Sequence, residues 1–282
     1  MELDVIHNKS CSNMDEIDNG KVDLIISGPP YWDYIDYGAY ASGDKSFKWQ
    51  KNSSYDNYLD ELRGWYQECY RVLRPGRFCV SCLGTVRRDG KTFPLPFHAV
   101  AILEEIGFEF CYEIVWRKLH GGRPHAGVLV QNPYPGYYIP NCRTEYLLVF
   151  RKDPSVSFVP DKKLLRTEDH QIKLGELFAK EISNNVWNVV PGAYPLSGKH
   201  PCPFPIEIPH RLIRMLSKKE ELILDPFMGI GTTARAAKSL DRRFIGYELE
   251  TEFIQIASDS LKLPFKQRKQ TVCRYESIEE EY

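Results

Sequence analysis

Apolar positions along the chain fall into short β-branched runs separated by longer stretches with helical spacing. Leu3–His7 reads as a short strand, and Val22-Asp23-Leu24-Ile25-Ile26-Ser27 as a buried one. Tyr58, Leu59, Leu62, Trp65, Tyr66, Cys69, Val72 and Leu73 then recur at helical spacing, with Ser54 as the cap and Pro75-Gly76 as the stop. Strands follow at Arg77–Leu83, Phe108–Trp116 and Glu145–Arg151, with a helix at Phe97–Ile106 that ends on Gly107. Toward the C-terminus the pattern gives a helix at Ile206–Leu216, a strand at Leu222–Asp225, a helix at Thr232–Leu240, a strand at Arg243–Tyr247 and a helix at Thr251–Leu261. Strand and helix alternate, which predicts an α/β domain built on a mainly parallel sheet. Residues 33–57 are polar, Tyr- and Lys-rich and without period, so they read as a loop. Residues 117–141 are dense in Gly, Pro, His, Tyr and Arg, and 153–185 are mixed, with one weak helix at Leu174–Ile182.

Two of these strands end in unusual chemistry. The run through Ser27 stops at Gly28-Pro29-Pro30-Tyr31-Trp32, where neither proline can donate to a sheet ladder and both stiffen the turn. Unpaired carbonyls beside the flat faces of Tyr31 and Trp32 make a slot for a planar, hydrogen-bonding ligand such as a nucleobase, although turn chemistry alone also accounts for the glycine and prolines. The second is Asp225-Pro226-Phe227-Met228-Gly229-Ile230-Gly231-Thr232-Thr233: a strand, a glycine turn and a helix N-terminus. Free helix N–H groups and threonine hydroxyls there offer donors to an anionic group, and Glu248 closes the next strand where an acid grips ribose hydroxyls in such folds. Gly229-x-Gly231-x-x-Ala234 also fits a dinucleotide fingerprint. An acid and a ring stand before the first glycine, however, which suits an amino group and a short thioether chain, and so favours S-adenosylmethionine.

Composition narrows the classes. The 282 residues are enough for one large domain or one domain with an insertion. A net charge of -1 argues against nonspecific coating of nucleic acid. Between Trp116 and Asp153, however, Arg117, Lys118, Arg123, Arg143, Arg151 and Lys152 stand against only Glu145, with His120 and His125 interleaved, an asymmetry that a cleft for a polyanion would show and that a solvated loop shows as well. The eight cysteines have no framework spacing, so reduced thiols are expected, and Cys79-Val80-Ser81-Cys82 lacks a second pair for a zinc site. No apolar run is long enough to cross a bilayer, and the polar start Met1-Glu2-Leu3-Asp4 is unlike a signal peptide, which predicts a cytoplasmic location.

The order of the two motifs, together with Arg71-Val72-Leu73-Arg74-Pro75-Gly76 and His200-Pro201-Cys202-Pro203-Phe204-Pro205, resembles the permuted β class of DNA amino-methyltransferases. The resemblance runs from Leu3 to about Leu261. It implies a Rossmann-like S-adenosylmethionine-dependent fold with a mainly parallel seven-stranded sheet, in which the strand at Arg243 neighbours the strand at Leu3. It divides the chain into a catalytic half (1–116), target-recognition loops with one returning strand (117–190) and a cofactor-binding half (191–282). Asp225, Pro226, Phe227, Gly229, Gly231, Thr232 and Thr233 would hold the methionine end, Glu248 the ribose, and His200, Pro203, Phe204 and Pro205 would pack around the cofactor. Ser27, Gly28, Pro29, Pro30 and Tyr31 would form the catalytic turn, accepting the amino hydrogens of a flipped base and stacking on it.

The sequence departs from the family at two places. The residue before Pro-Pro is Ser in the cytosine-N4 type and Asp or Asn in the adenine-N6 type; here it is Gly28, with Ser27 one place earlier. Either the Ser27 hydroxyl reaches the amino group, or the carbonyls of Gly28 and Pro29 do the accepting. Lys9 stands where an acid is common. With no carboxylate or carboxamide before Pro29, and with Pro30-Tyr31-Trp32-Asp33 and Asp36-Tyr37-Gly38 like that subgroup, the reading is cytosine N4, adenine N6 being the alternative. Double-stranded DNA is the implied partner, with a cognate restriction endonuclease as a further one. Arg87, Arg88, Lys91, Arg117, Lys118, His120, Arg123, His125 and Arg143 are the candidates for phosphate and base-edge contact. A noncatalytic cofactor-binding protein and an RNA methyltransferase are the rival readings.

Overall fold

The computed structural model describes residues 1–32, 54–118, 142–158, 172, 175, 182–190 and 205–263. Its elements are β1 (Val5–His7), β2 (Val22–Ser27), α1 (Tyr55–Val72), β3 (Leu73–Leu83), β4 (Val86–Arg88), β5 (Lys91–Phe93), α2 (Leu95–Ile106), β6 (Phe108–Lys118), β7 (Thr144–Lys152), β8 (Val186–Val189), α3 (Glu207–Leu216), β9 (Leu222–Asp225), α4 (Thr232–Ser239), β10 (Arg243–Tyr247) and α5 (Thr251–Lys262). The main sheet has eight strands in the order β1-β10-β9-β2-β3-β7-β6-β8. Only β7 runs against its neighbours. The strand at Arg243 does lie beside the first strand, with Val5 opposite Ile245, so the two ends of the described chain meet in one sheet. Asn8 reinforces that seam, its side-chain amide donating to the carbonyls of Glu248 (3.1 Å) and Leu249 (2.8 Å).

Three local features differ from the expectation. The sheet has an eighth strand, β8, because Val186–Val189 pairs with β6 at the edge and buries Trp187 completely, a signal too short to stand out in a polar stretch. Arg87, Arg88 and Lys91 belong to a β4–β5 hairpin whose turn, Asp89-Gly90, has φ of 50° and 77°, the geometry that twists two strands together. Pro75-Gly76 does not simply end α1: β3 begins at Leu73 and carries them as a bulge, since Leu73 pairs with Val22 and the ladder resumes only at Phe78 opposite Leu24. The Ser54 cap is present, its hydroxyl accepting from the Asn57 N–H at 3.1 Å. The weak helix at Leu174–Ile182 falls mostly outside the described residues.

Two apolar layers sandwich the sheet. One gathers Leu62, Tyr66, Cys69 and Leu103 of α1 and α2 against Ile25, Cys79 and Phe150; the other gathers Leu212, Ile213, Ala234 and Ala237 of α3 and α4 against Leu24, Ile26, Val80 and Ile223. Cys79 and Cys82 therefore lie in different layers, as residues three apart on a strand must. No helix among the described residues is long and apolar enough to cross a membrane.

Candidate functional site

β2 and β9 are adjacent and parallel, with Leu24 opposite Ile223 and Ile25 opposite Leu224. Both therefore run out at the same edge, and Gly28-Pro29 and Pro226-Phe227 leave the sheet side by side although some two hundred residues separate them in sequence. The carboxyl ends of β1, β3, β6, β8 and β10 open at this edge too, together with the start of the reversed strand β7. In open α/β sheets this is where ligands bind.

On the β9 side, Asp225 is 2 % exposed and its Oδ1 accepts from the Phe227 N–H at 2.9 Å. Burial pushes its carboxyl up to about 6, against the opposing effect of the Thr233 hydroxyl and the Phe227 N–H. Glu248 grips the glycine turn directly: Oε2 accepts from the Gly229 N–H at 2.8 Å and Oε1 from the Glu250 N–H at 2.9 Å. Burial raises Glu248 as well, to about 7, in spite of those donors. Neither carboxylate forms an ion pair among the described residues. Two desolvated acids flanking a helix N-terminus fit a ligand that brings its own positive centre and its own hydroxyl donors.

Two glycines shape the packing around the turn. Gly231 has a φ of 81° and faces Ala257 of α5, so it serves chain reversal and helix packing. Gly246, on β10, leaves room for Met228 to fold back over the strand. Phe227 sits edge-on to Trp65 of α1, with ring centroids 5.1 Å apart, which ties the turn to the opposite motif's helix. Pro226, Thr232 and Thr233 are buried and Pro205 lies just ahead of α3, while His200, Pro203 and Phe204 fall outside the described residues. Lys9 pairs with Glu16 at 2.9 Å, and Glu16 also accepts from the Tyr247 hydroxyl at 3.1 Å, so the unexpected lysine belongs to a bridge from the first loop to β10.

On the β2 side, the Ser27 hydroxyl is fully buried and shares a hydrogen bond of 3.0 Å with the Tyr66 hydroxyl, which also bonds Ser81 at 2.5 Å. Its side chain thus points into the α1 layer. Tyr58 of α1 donates its hydroxyl to the Pro30 carbonyl at 2.9 Å, holding the second peptide of the turn. Tyr31 reaches over Gly84 at the end of β3: a Cβ there would lie 3.8 Å from the Tyr31 ring and 3.3 Å from Cγ of Glu145. Trp32, expected as a second open face, is instead 5 % exposed and enclosed by Tyr55, Phe93 and the Arg88 guanidinium, the last 4.9 Å from its ring. Apolar area and the cation attract it into the hairpin contact.

The described basic candidates gather at the same edge. Arg88 caps Trp32, Arg117 and Lys118 end β6, and Arg143 precedes β7, its guanidinium donating to the Lys118 carbonyl at 3.4 Å. Arg87 and Lys91 face one another's neighbours across the hairpin, and His120, Arg123 and His125 lie outside the described residues. Tyr58 and Glu145 carry no functional signal in the sequence. A helix-period tyrosine looks like core, and a lone acid in a basic segment looks like a surface charge; only the sheet brings them to the slot.

The family model for DNA methylases of the N6/N4 type matches residues 22–259. The chain is 30 % identical to the type II methyltransferase M.MjaI of Methanocaldococcus jannaschii, over 91 % of this chain and 89 % of that protein. It is also 30 % identical to the type II methyltransferase M.BglII of Bacillus subtilis, over 90 % of this chain and 68 % of that one. A solved DNA modification methylase of Thermus thermophilus, complexed with S-adenosyl-L-methionine, superposes with a TM-score of 0.68 at 28 % identity, covering 91 % of this chain and 92 % of that one. PvuII DNA methyltransferase, cytosine-N4-specific, shares the fold with a TM-score of 0.66 at 17 % identity, over 93 % of this chain and 87 % of that chain.

Proposed function

The chain belongs to the N6/N4 DNA methylase family, and from that premise we propose that it methylates the exocyclic N4 amino group of cytosine in double-stranded DNA, with S-adenosylmethionine as donor. The observation that carries this reading is the adjacency of the Gly28-Pro29-Pro30-Tyr31 turn and the Asp225–Thr233 turn on neighbouring parallel strands. S-adenosylmethionine supplies a methyl group activated by a sulfonium centre. Asp225 and Glu248 would supply the complementary negative charge and hydroxyl acceptors, and N–H groups in the first turn of α4 would donate to the methionine carboxylate.

An exocyclic amino nitrogen is a weak nucleophile because its lone pair is delocalised into the ring. Acceptors placed at its hydrogens draw the lone pair out of conjugation and aim it at the methyl carbon. With the Ser27 hydroxyl committed to Tyr66, that task falls to the carbonyls of Gly28 and Pro29, the Pro30 carbonyl being engaged by Tyr58. Tyr31 stacks on the flipped base. The lack of a carboxylate or carboxamide ahead of Pro29 favours cytosine. Arg88, Arg117 and Arg143 hold phosphates at the rim, and residues 117–142 with 153–185 read the site. Similarity to type II methyltransferases supports a cognate restriction endonuclease as a further partner.

Incubating the pure protein and duplex DNA with methyl-labelled S-adenosylmethionine, then analysing nucleosides by mass spectrometry, is expected to put label into N4-methylcytosine. Label in N6-methyladenine instead would show that two backbone carbonyls serve either base; label in RNA alone, or cofactor binding without any transfer, would overturn the reading.

Cofactor binding is expected to weaken in acid. The ionised carboxylates are the binding forms, and Glu248 in the ligand-free protein titrates near 7. Affinity measured by calorimetry should therefore fall by about tenfold for each pH unit below that midpoint. Stability of the ligand-free chain follows the opposite sign. Unfolded carboxyls titrate near 4, so these two groups contribute most below that pH, and the contribution is lost as pH rises through the folded values of about 6 and about 7. The thermal shift on adding cofactor should accordingly grow from pH 6 to pH 8.

A further inference from the structure

Two φ and two ψ angles carry the backbone from Pro29 to Tyr31, and covalent structure restrains all but one. The rings of Pro29 and Pro30 lock their own φ angles, and the ring of Pro30 holds ψ of Pro29 in the extended range. Only ψ of Pro30 is left free. Through the planar peptide that follows, it sets where Cα of Tyr31 stands. The Tyr58 hydroxyl fixes this angle from α1: its side chain is fully buried, and it donates to the Pro30 carbonyl at 2.9 Å. Phenylalanine would fill the same space with no polar atom to satisfy, so the address of the hydroxyl is the informative part. The same buried face of α1 also reaches the cofactor turn. Trp65, two helical turns further along, packs edge-on to Tyr58 with ring centroids 6.4 Å apart, and edge-on to Phe227 at 5.1 Å. At its far end the Tyr31 ring rests beside Gly84, where a Cβ would lie 3.8 Å from both Cε2 and the hydroxyl of Tyr31.

We propose that Tyr58 is the positioning residue for Tyr31. By fixing ψ of Pro30 it holds the stacking ring in register with the cofactor turn, and α1 is the common reference for both. The inference rests on the reading of Tyr31 as the ring that stacks on the flipped base, and holds for cytosine and adenine alike. Tyr58 is fully buried, so it acts through the turn and not on the base itself. In-line transfer of a methyl group is sensitive to such placement, because a small displacement of a reacting group lowers the rate even where binding survives. With the hydrogen bond in place, the base enters a slot already formed. Without it, base binding must also order Tyr31, and part of the binding energy is lost to that ordering.

The test is a double-mutant cycle, measured as methyl transfer to duplex DNA that the enzyme modifies. Tyr58→Phe is expected to lower kcat/KM for DNA by about tenfold, the upper range for one neutral hydrogen bond, while the affinity for S-adenosylmethionine stays within about twofold of the parent. On a Tyr31→Ala background the same substitution should cost nothing further, because the ring it positions is gone. A purely structural role predicts instead that the two losses multiply. Tyr58→3-fluorotyrosine keeps the ring and makes the hydroxyl a stronger donor, so its activity should match or exceed the parent's even if Tyr58→Phe fails to fold. A full Tyr58→Phe loss on the Tyr31→Ala background, no loss on the parent background, a matching loss of cofactor affinity, or a tenfold loss with 3-fluorotyrosine overturns the proposal. A Tyr31→Ala enzyme as active as the parent overturns the stacking reading itself, and the cycle shows that outcome separately.

Discussion

Replacing Gly231 by alanine is expected to destabilise the protein by about 2–5 kcal/mol. Two costs add. The residue has a φ of 81°, where a Cβ meets the following carbonyl at a cost of roughly 1–2 kcal/mol. The new Cβ would also lie 2.7 Å from Cβ and 3.1 Å from Cα of Ala257, so α5 must back away, and overpacking of this kind costs about 1–3 kcal/mol. In a chain of this size such a loss lowers Tm by roughly 5–15 °C, which differential scanning calorimetry would record. Gly84→Ala is the milder comparison: its Cβ meets nothing closer than Cγ of Glu145 at 3.3 Å, so Tm should fall by less. A Gly231→Ala protein as stable as its parent would mean that the turn and α5 are less tightly coupled than the packing requires.

Tyr31→Ala is expected to reduce kcat/KM for DNA by about 10- to 100-fold while leaving the affinity for S-adenosylmethionine within about twofold. Stacking of a base on an aromatic ring contributes about 1–3 kcal/mol, and each 1.36 kcal/mol is tenfold in rate. The cofactor acids Asp225 and Glu248 make their described contacts with the glycine turn and the start of α5, not with Tyr31, so cofactor binding measures whether the fold is intact. Tyr31→Phe keeps the ring and should retain most of the activity; if it falls as far as alanine, the hydroxyl rather than the ring face carries the contact. The parallel substitution Trp32→Ala should behave differently. Trp32 is enclosed by Tyr55, Phe93 and Arg88, so its loss acts on hairpin packing and stability.

What the amino-acid order determined by itself was local. Short β-branched runs and helical spacing located most strands and helices of both halves, because a strand buried on both faces and a helix with one buried face each leave that pattern whatever the partner. Pro29-Pro30 and the Gly229–Gly231 turn announced themselves because only those residue types tolerate such backbone. The resemblance carried by the ordered motifs further implied that the strand at Arg243 would lie beside the first strand, as it does. The tertiary structure alone decided what the side chains at those turns touch. Ser27 looked like the acceptor nearest the slot, but one residue's shift along a strand turns a side chain to the other face, and it meets Tyr66 inside the core. Trp32 looked like an open ring, but the hairpin that covers it depends on Asp89-Gly90 and on Phe93, with no periodic signature. Glu145 looked like a stray charge. Only the reversed strand β7 delivers it to the edge where β3 and β6 end, because pairing between strands distant in sequence is fixed by burial across the whole sheet and leaves no mark in any one of them.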